Sequence, residues 1–171
     1  MRKIILILVL FAITTVVLAG SGKIKVISGS KDILNENAKI VLAIDYSDAL
    51  WENGSSYERF SGDEYQERIE GAYNRFVRDF NMYSNGLQIT KNDQNAKYLM
   101  TIKVANFLRK LRIFYRGEVM IWCTIIITDI ATGEECLKIK VEKSGGANDY
   151  STTDGIYKCF GSLAQKIARI L

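Results

Sequence analysis

The segment that decides the fold is EVMIWCTIIITDIATGEECLKIKV, residues 118–141. Val119, Ile121, Cys123, Ile125 and Ile127 alternate with Met120, Trp122, Thr124, Ile126 and Thr128. That period of two belongs to a β-strand, in which successive side chains point to opposite faces. Beyond a turn, Leu137, Ile139 and Val141 alternate with Lys138 and Lys140. Directly paired residues share a face and both apolar sets carry odd numbers, so the connecting loop must hold an odd number of residues. Ala131-Thr132-Gly133 fits a three-residue hairpin, a type I turn followed by a left-handed glycine, with Ile130 opposite Glu134. Ile127 then faces Leu137, Ile125 faces Ile139 and Cys123 faces Val141. Cys136 falls opposite Thr128, pointing away from the apolar side.

Upstream, AKYLMTIKVANFL (96–108) sets Tyr98, Met100, Ile102 and Val104 against Lys97, Thr101 and Lys103, a second half-buried strand. KIVLAIDY (39–46) is rich in strand formers and runs into the turn-prone SDALWENGSS; KIKVI (23–27) is a shorter strand before it. Ser61-Gly-Asp-Glu64 matches a capping box. Tyr65, Ile69, Tyr73, Phe76 and Phe80 follow at helical spacing, up to a stop at Asn85-Gly86. A closing helix carries Ile156, Phe160, Leu163, Ile167 and Ile170, with Ser151 as its cap and Asp154 three residues on. The expected fold is an α+β two-layer sandwich: a mixed sheet of four to five strands in the order strand-helix-strand-strand-strand-helix, both helices on one face. The strand at 39–46 lies parallel to its neighbour.

The chain begins MRKIILILVLFAITTVVLAGSGK. Arg2 and Lys3, an apolar stretch to Leu18, and small residues to Gly20 have the form of a secretory signal peptide over residues 1–20. The run breaks at Thr14-Thr15, short of the about 20 apolar residues of a membrane anchor. LAGS resembles a lipoprotein lipobox, but Ser21 stands where the acylated cysteine is required, so thioether anchoring is excluded. Residues 21–171 are then one domain with its core in 38–171, exported and not lipid-anchored, with the periplasm as the expected compartment. Removing Arg2 and Lys3 lowers the formal charge from +4 to +2, too little for a general nucleic-acid binder.

The chain contains no histidine. Serine or cysteine nucleophiles therefore lack an imidazole base, and histidine-ligated metals cannot be built. Cys123, Cys136 and Cys159 lack CxxC spacing, so no metal and no cofactor are expected. Buried thiols acting as small apolar groups are the simplest use of them. If a disulfide forms, Cys123 with Cys159 is the geometrically sensible pair.

The element order, together with AKYLMTIKV, TDIATGEE and the helix LAQKIARIL, resembles a group of exported bacterial envelope domains. They include uncharacterised families and are similar in outline to the amino-terminal domain of the Tol translocation protein and the periplasmic domain of the curli secretion channel. The resemblance implies docking or assembly in the periplasm and carries over no catalytic residue. An envelope protein, a glycan or a second copy is the expected partner.

Three candidate sites follow. The sheet face without helices would carry Leu99, Thr101, Lys103, Met120, Trp122, Thr124, Ile126, Lys138 and Lys140; large apolar residues on such a face mark a protein or glycan docking surface. The alternatives there are cover from residues 23–34, or single apolar groups among lysine stems. LRKLRIFYRG (108–117) interleaves Arg109, Lys110, Arg112 and Arg116 with apolar and aromatic residues at a hairpin end, where it could contact anionic lipid or lipopolysaccharide. Alternatively the two strands simply continue there. Asp45, Asp48 and Glu52, near the end of one strand, are the carboxylates that could cleave a glycan without histidine.

Overall fold

The computed structural model describes residues 23–34, 37–91, 93–111, 117–146 and 151–171. The signal segment lies outside them, as do Arg112 and Arg116 at the hairpin end. The elements are β1 (Lys23–Gly29), β2 (Lys39–Asp45), α1 (Tyr57–Ser61), α2 (Tyr65–Tyr83), β3 (Gln88–Thr90), β4 (Tyr98–Leu111), β5 (Gly117–Asp129), β6 (Glu135–Gly145) and α3 (Thr152–Ile170), with short 3-10 turns at Lys31–Ile33 and Gly62–Glu64. The fold is an α+β sandwich around a six-stranded mixed sheet of order β1-β6-β5-β4-β2-β3. β2 is parallel to β4 and to β3, and the other pairs are antiparallel. The strand count exceeds the expected four to five because β3 is only three residues long, below any readable alternation.

Ile127 pairs with Leu137, Ile125 with Ile139 and Cys123 with Val141, the expected register. The loop that delivers it is different. Asp129 N–H donates to Glu134 O at 3.0 Å and Gly133 N–H to Asp129 O at 2.9 Å, with Gly133 at φ 73. The loop therefore spans Ile130 to Gly133, one residue more than expected. The register shifts between Ile127 and Thr128, where Thr128 pairs with Glu135, so Cys136 is the bulged residue and is buried instead of pointing out. Two single-residue irregularities cancel, and the parity of the apolar sets survives.

Those sets build the core. Val119, Ile121, Ile125, Ile127, Ile139, Met100 and Ile102 are fully buried with Phe76 and Phe80 of α2 and Ile156, Phe160, Leu163 and Ile167 of α3. Each such side chain contributes roughly 1.5–3 kcal/mol of transfer free energy. On α2, Tyr65, Ile69 and Tyr73 are half-buried at the margin of this core. The two helices approach closely through glycines: a Cβ on Gly71 would overlap the Tyr157 ring, and one on Gly161 would overlap Asp79 and Arg75. Asp79 is buried there between Arg75 and Arg78, at 2.8 and 2.9 Å. Burial alone would raise its pKa, but the two arginine hydrogen bonds outweigh that and hold it below the ordinary value.

Ser151 caps α3 as expected, its hydroxyl accepting from Asp154 N–H at 3.2 Å. Ser61 does not cap α2. Its own backbone is helical, and the helical stretch starts earlier, at Ser56, which accepts from Arg59 N–H at 3.2 Å. Ser61 and Glu64 serve Arg68 instead: the guanidinium donates to Glu64 at 2.6 Å and to Ser61 at 3.3 Å, and stacks 5.1 Å over Phe60. The stretch after β2 also turns inward. Leu50 N–H donates to Ala105 O and Phe107 N–H to Leu50 O, so this loop continues the sheet beside β4 where β2 has ended. Trp51, 4% exposed, stacks on Phe60 with ring centres 3.8 Å apart, beside Tyr57 and Phe107.

Candidate functional site: the helix-free sheet face

α3 packs on β5 and β6, and α2 on α3 and β3, all on one side of the sheet. The other side carries the complementary residues in rows across the strands. One row runs Lys25, Lys140, Thr124, Lys103, Asp45. The next runs Ser28, Lys138, Ile126, Thr101, Ala43. Leu99 follows between Thr128 and Val41. Trp122 pairs with Asn106 across β4, and on its β6 side meets a bulge, where Ile121 pairs with Ser144 but Cys123 with Val141. The extra β6 residue there is accommodated by Lys143 at φ 58. Eight of the nine residues expected on this face are therefore brought together, whereas Met120, paired with Leu108 and Gly145, is buried.

Residues 23–29 do not fold over the face. They extend the sheet as its β1 edge. Lys103 and Lys140 are exposed, whereas Leu99, Thr101, Trp122, Thr124, Ile126 and Lys138 are half-buried, and Met120 is 2% exposed. This pattern matches apolar groups set singly among lysine stems rather than one wide apolar patch. Lys140 pairs with Glu142 at 2.8 Å and Lys138 with Glu135 at 3.7 Å. The Lys140 hydrogen bond, aided by the nearby charges of Lys140, Lys23 and Lys25, lowers the Glu142 pKa.

In the basic stretch 108–117, β4 and β5 are paired as far as Leu111 and Gly117, and the hairpin end that carries Arg112 and Arg116 lies outside the described residues. Arg109 does not project from it: its guanidinium donates to Thr152 Oγ1 at 2.8 Å, tying β4 to the start of α3, and its N–H donates to Glu52 at 3.0 Å. Lys110 is exposed. The three carboxylates near the end of β2 have local roles or face solvent. Asp45 accepts from Ser47 N–H at 3.0 Å, and this bond with the Ser47 hydroxyl holds its pKa low, the reverse of a general acid. Glu52 is engaged by Arg109, and Asp48 is exposed.

The considered bridge from Cys123 to Cys159 is not formed: all three thiols are free and buried. Burial pushes the Cys123 and Cys159 thiols up, and Cys159 donates instead to Ser144 O at 3.3 Å. Ser144, fully buried, also accepts from Lys166 Nζ at 3.1 Å, and burial lowers the Lys166 pKa. That polar pair had no pattern in the sequence, since neither residue interrupts an apolar period. Among the described residues no acidic, histidine or cysteine group could hold a metal, and no helix is long and apolar enough to cross a membrane.

No family model matches the chain, and no curated protein does. Solved structures do. The PelC dodecamer from Paraburkholderia phytofirmans is 15% identical over 85% of this chain and 94% of its own, with a TM-score of 0.51. Protein XCC0632 from Xanthomonas campestris is 8% identical over 82% of this chain and 88% of its own, at 0.47. Lipoprotein GNA1162 from Neisseria meningitidis is 10% identical over 77% and 96%, at 0.33. At these identities the PelC likeness establishes a shared fold and nothing further, and the other two scores are too low to carry an argument.

Proposed function

We propose that the chain is an exported, non-enzymatic accessory domain of the bacterial cell envelope. It works by assembling with itself and by docking an envelope protein or glycan on its helix-free sheet face. The observation that carries this is the one-sided architecture: both long helices cover the same face, leaving Trp122 and Ile126 partly exposed among lysines and threonines on the other. The signal-like start supports export, and Ser21 in place of the lipobox cysteine supports a periplasmic form without a lipid anchor. The fold shared with a protein that is itself a dodecamer supports self-assembly.

The test is a double substitution, Trp122→Lys with Ile126→Lys, in the purified exported protein. Co-sedimentation with isolated peptidoglycan and with outer-membrane fragments, and recovery of cross-linked envelope proteins, should fall at least about tenfold, as for lost interface anchors. Unchanged retention on every fraction would sink the docking face. Turnover of a cell-wall glycan that disappears in Asp45→Asn would replace this reading with a carboxylate hydrolase.

A further inference from the structure

We propose that copies of this chain associate head to tail, the lysine-bearing β1 margin of one molecule lying against the acidic outer surface of α1 and α2 on the next. This rests on the self-assembly part of the reading above and names the surfaces it uses.

The two surfaces lie on opposite flanks. β1 is one edge of the sheet, next to β6, whereas α2 packs toward β3 at the other edge, with α3 between it and β6. The β1 margin gathers Lys23, Lys25, Lys138, Lys140 and Lys143, offset by Glu135 and Glu142. Lys25 lies directly opposite Lys140, a like-charge cross-strand pair that Glu142 offsets in part through its 2.8 Å bond to Lys140, leaving the margin with a surplus of positive charge. On the other flank, Glu58, Asp63, Glu64, Glu67 and Glu70 are all exposed over α1 and the first half of α2. They are offset by Arg59 and by Arg68, and Arg68 is already bound to Glu64 at 2.6 Å. The charges thus mirror one another in number and oppose in sign.

Symmetric alternatives are disfavoured by the same charges. Two β1 edges meeting would set lysine against lysine, and two α2 surfaces would set carboxylate against carboxylate. The β3 edge is closed to strand addition at Ile89: the Asn81 amide donates to Ile89 O at 2.9 Å and accepts from Ile89 N–H at 2.7 Å. A contact between unlike patches is heterologous, so it closes into a ring or continues as a filament.

Sedimentation velocity on the purified exported protein tests this at about 0.05 M and about 1 M salt, which shorten the screening length several-fold. Association should weaken at least about tenfold at the higher salt. Lys23→Glu with Lys25→Glu should give monomers, and so should Glu67→Lys with Glu70→Lys. Mixing the two double variants should restore assembly, because each reversed surface then meets its complement. That rescue also shows both variants to be folded. An oligomer indifferent to salt and to both reversals overturns the head-to-tail contact and leaves self-assembly standing. Two monomeric variants that fail to reassemble on mixing overturn the pairing of these surfaces. A wild-type monomer at every concentration removes the self-assembly reading, and this inference with it.

Discussion

The two edges of the sheet solve the same problem by different means. Any edge strand presents unpaired N–H and C=O groups that invite a foreign strand. At β3 the answer is local: the strand is three residues long and the Asn81 amide occupies both backbone groups of Ile89. At β1 the strand has seven residues, most of them exposed, including Ile27 at 49%. Its protection is charge, from Lys23 and Lys25, together with a register shift between Val26 and Ser28. Hydrogen bonding closes an edge to everything, whereas charge closes it only to partners of like sign. β1 is therefore the edge that can be selective.

The contrast can be broken most severely at Gly29. It sits at φ +79, and a Cβ there would overlap the Cys136 carbonyl, which no side-chain rotation relieves. Gly29→Ala should cost about 3 kcal/mol, the upper range for backbone strain, and free the end of β1. Urea unfolding gives the cost, and hydrogen exchange at Gly29 and its partner Leu137 should show the detachment.

Next in size, Asn81→Leu leaves Ile89 without its amide partner. A loss of about 1–2 kcal/mol is expected by urea unfolding, together with new concentration-dependent association through β3. Retained stability with no association would mean that the amide is ornamental. Lys25→Glu should stay within about 0.5 kcal/mol of wild type, on the stabilising side, because it turns the opposition to Lys140 into an attraction.

The smallest effect is a titration. Glu142 is held below its ordinary 4.5 first by the Lys140 hydrogen bond and then by Lys140, Lys23 and Lys25. A depressed carboxylate pKa favours the folded state above the ordinary value, and the benefit is lost as pH falls through the folded value. Lys25→Gln should move the Glu142 midpoint upward, toward 4.5, in an NMR titration. A downward move would contradict the assigned row of charges.

How much of this was legible in sequence depended on whether a residue acts through its period or through a distant partner. The β5–β6 register and the membership of both sheet faces followed from alternation alone, and alternation survived even where the loop length was wrong, because the Cys136 bulge restored parity. The strand β3 was too short to show a period. Ser61-Gly-Asp-Glu64 has the composition of a cap, yet Arg68 claims both side chains, a choice made by tertiary packing against Phe60. SDALWENGSS looked like a solvated loop because its buried members are few and spaced irregularly. Arg109 looked free for an outside anion until the fold brought Thr152 beside it.

The chain has two tryptophans, and the fold separates them by environment. Trp51 is locked in a ring stack under the helical layer, and Trp122 is partly exposed on the opposite face of the sheet. Their emission spectra and accessibility to a dissolved quencher should therefore differ, Trp122 being the redder and more readily quenched of the two. A Trp51→Phe variant would leave Trp122 as a built-in optical gauge of whatever lands on that face, with no attached dye needed.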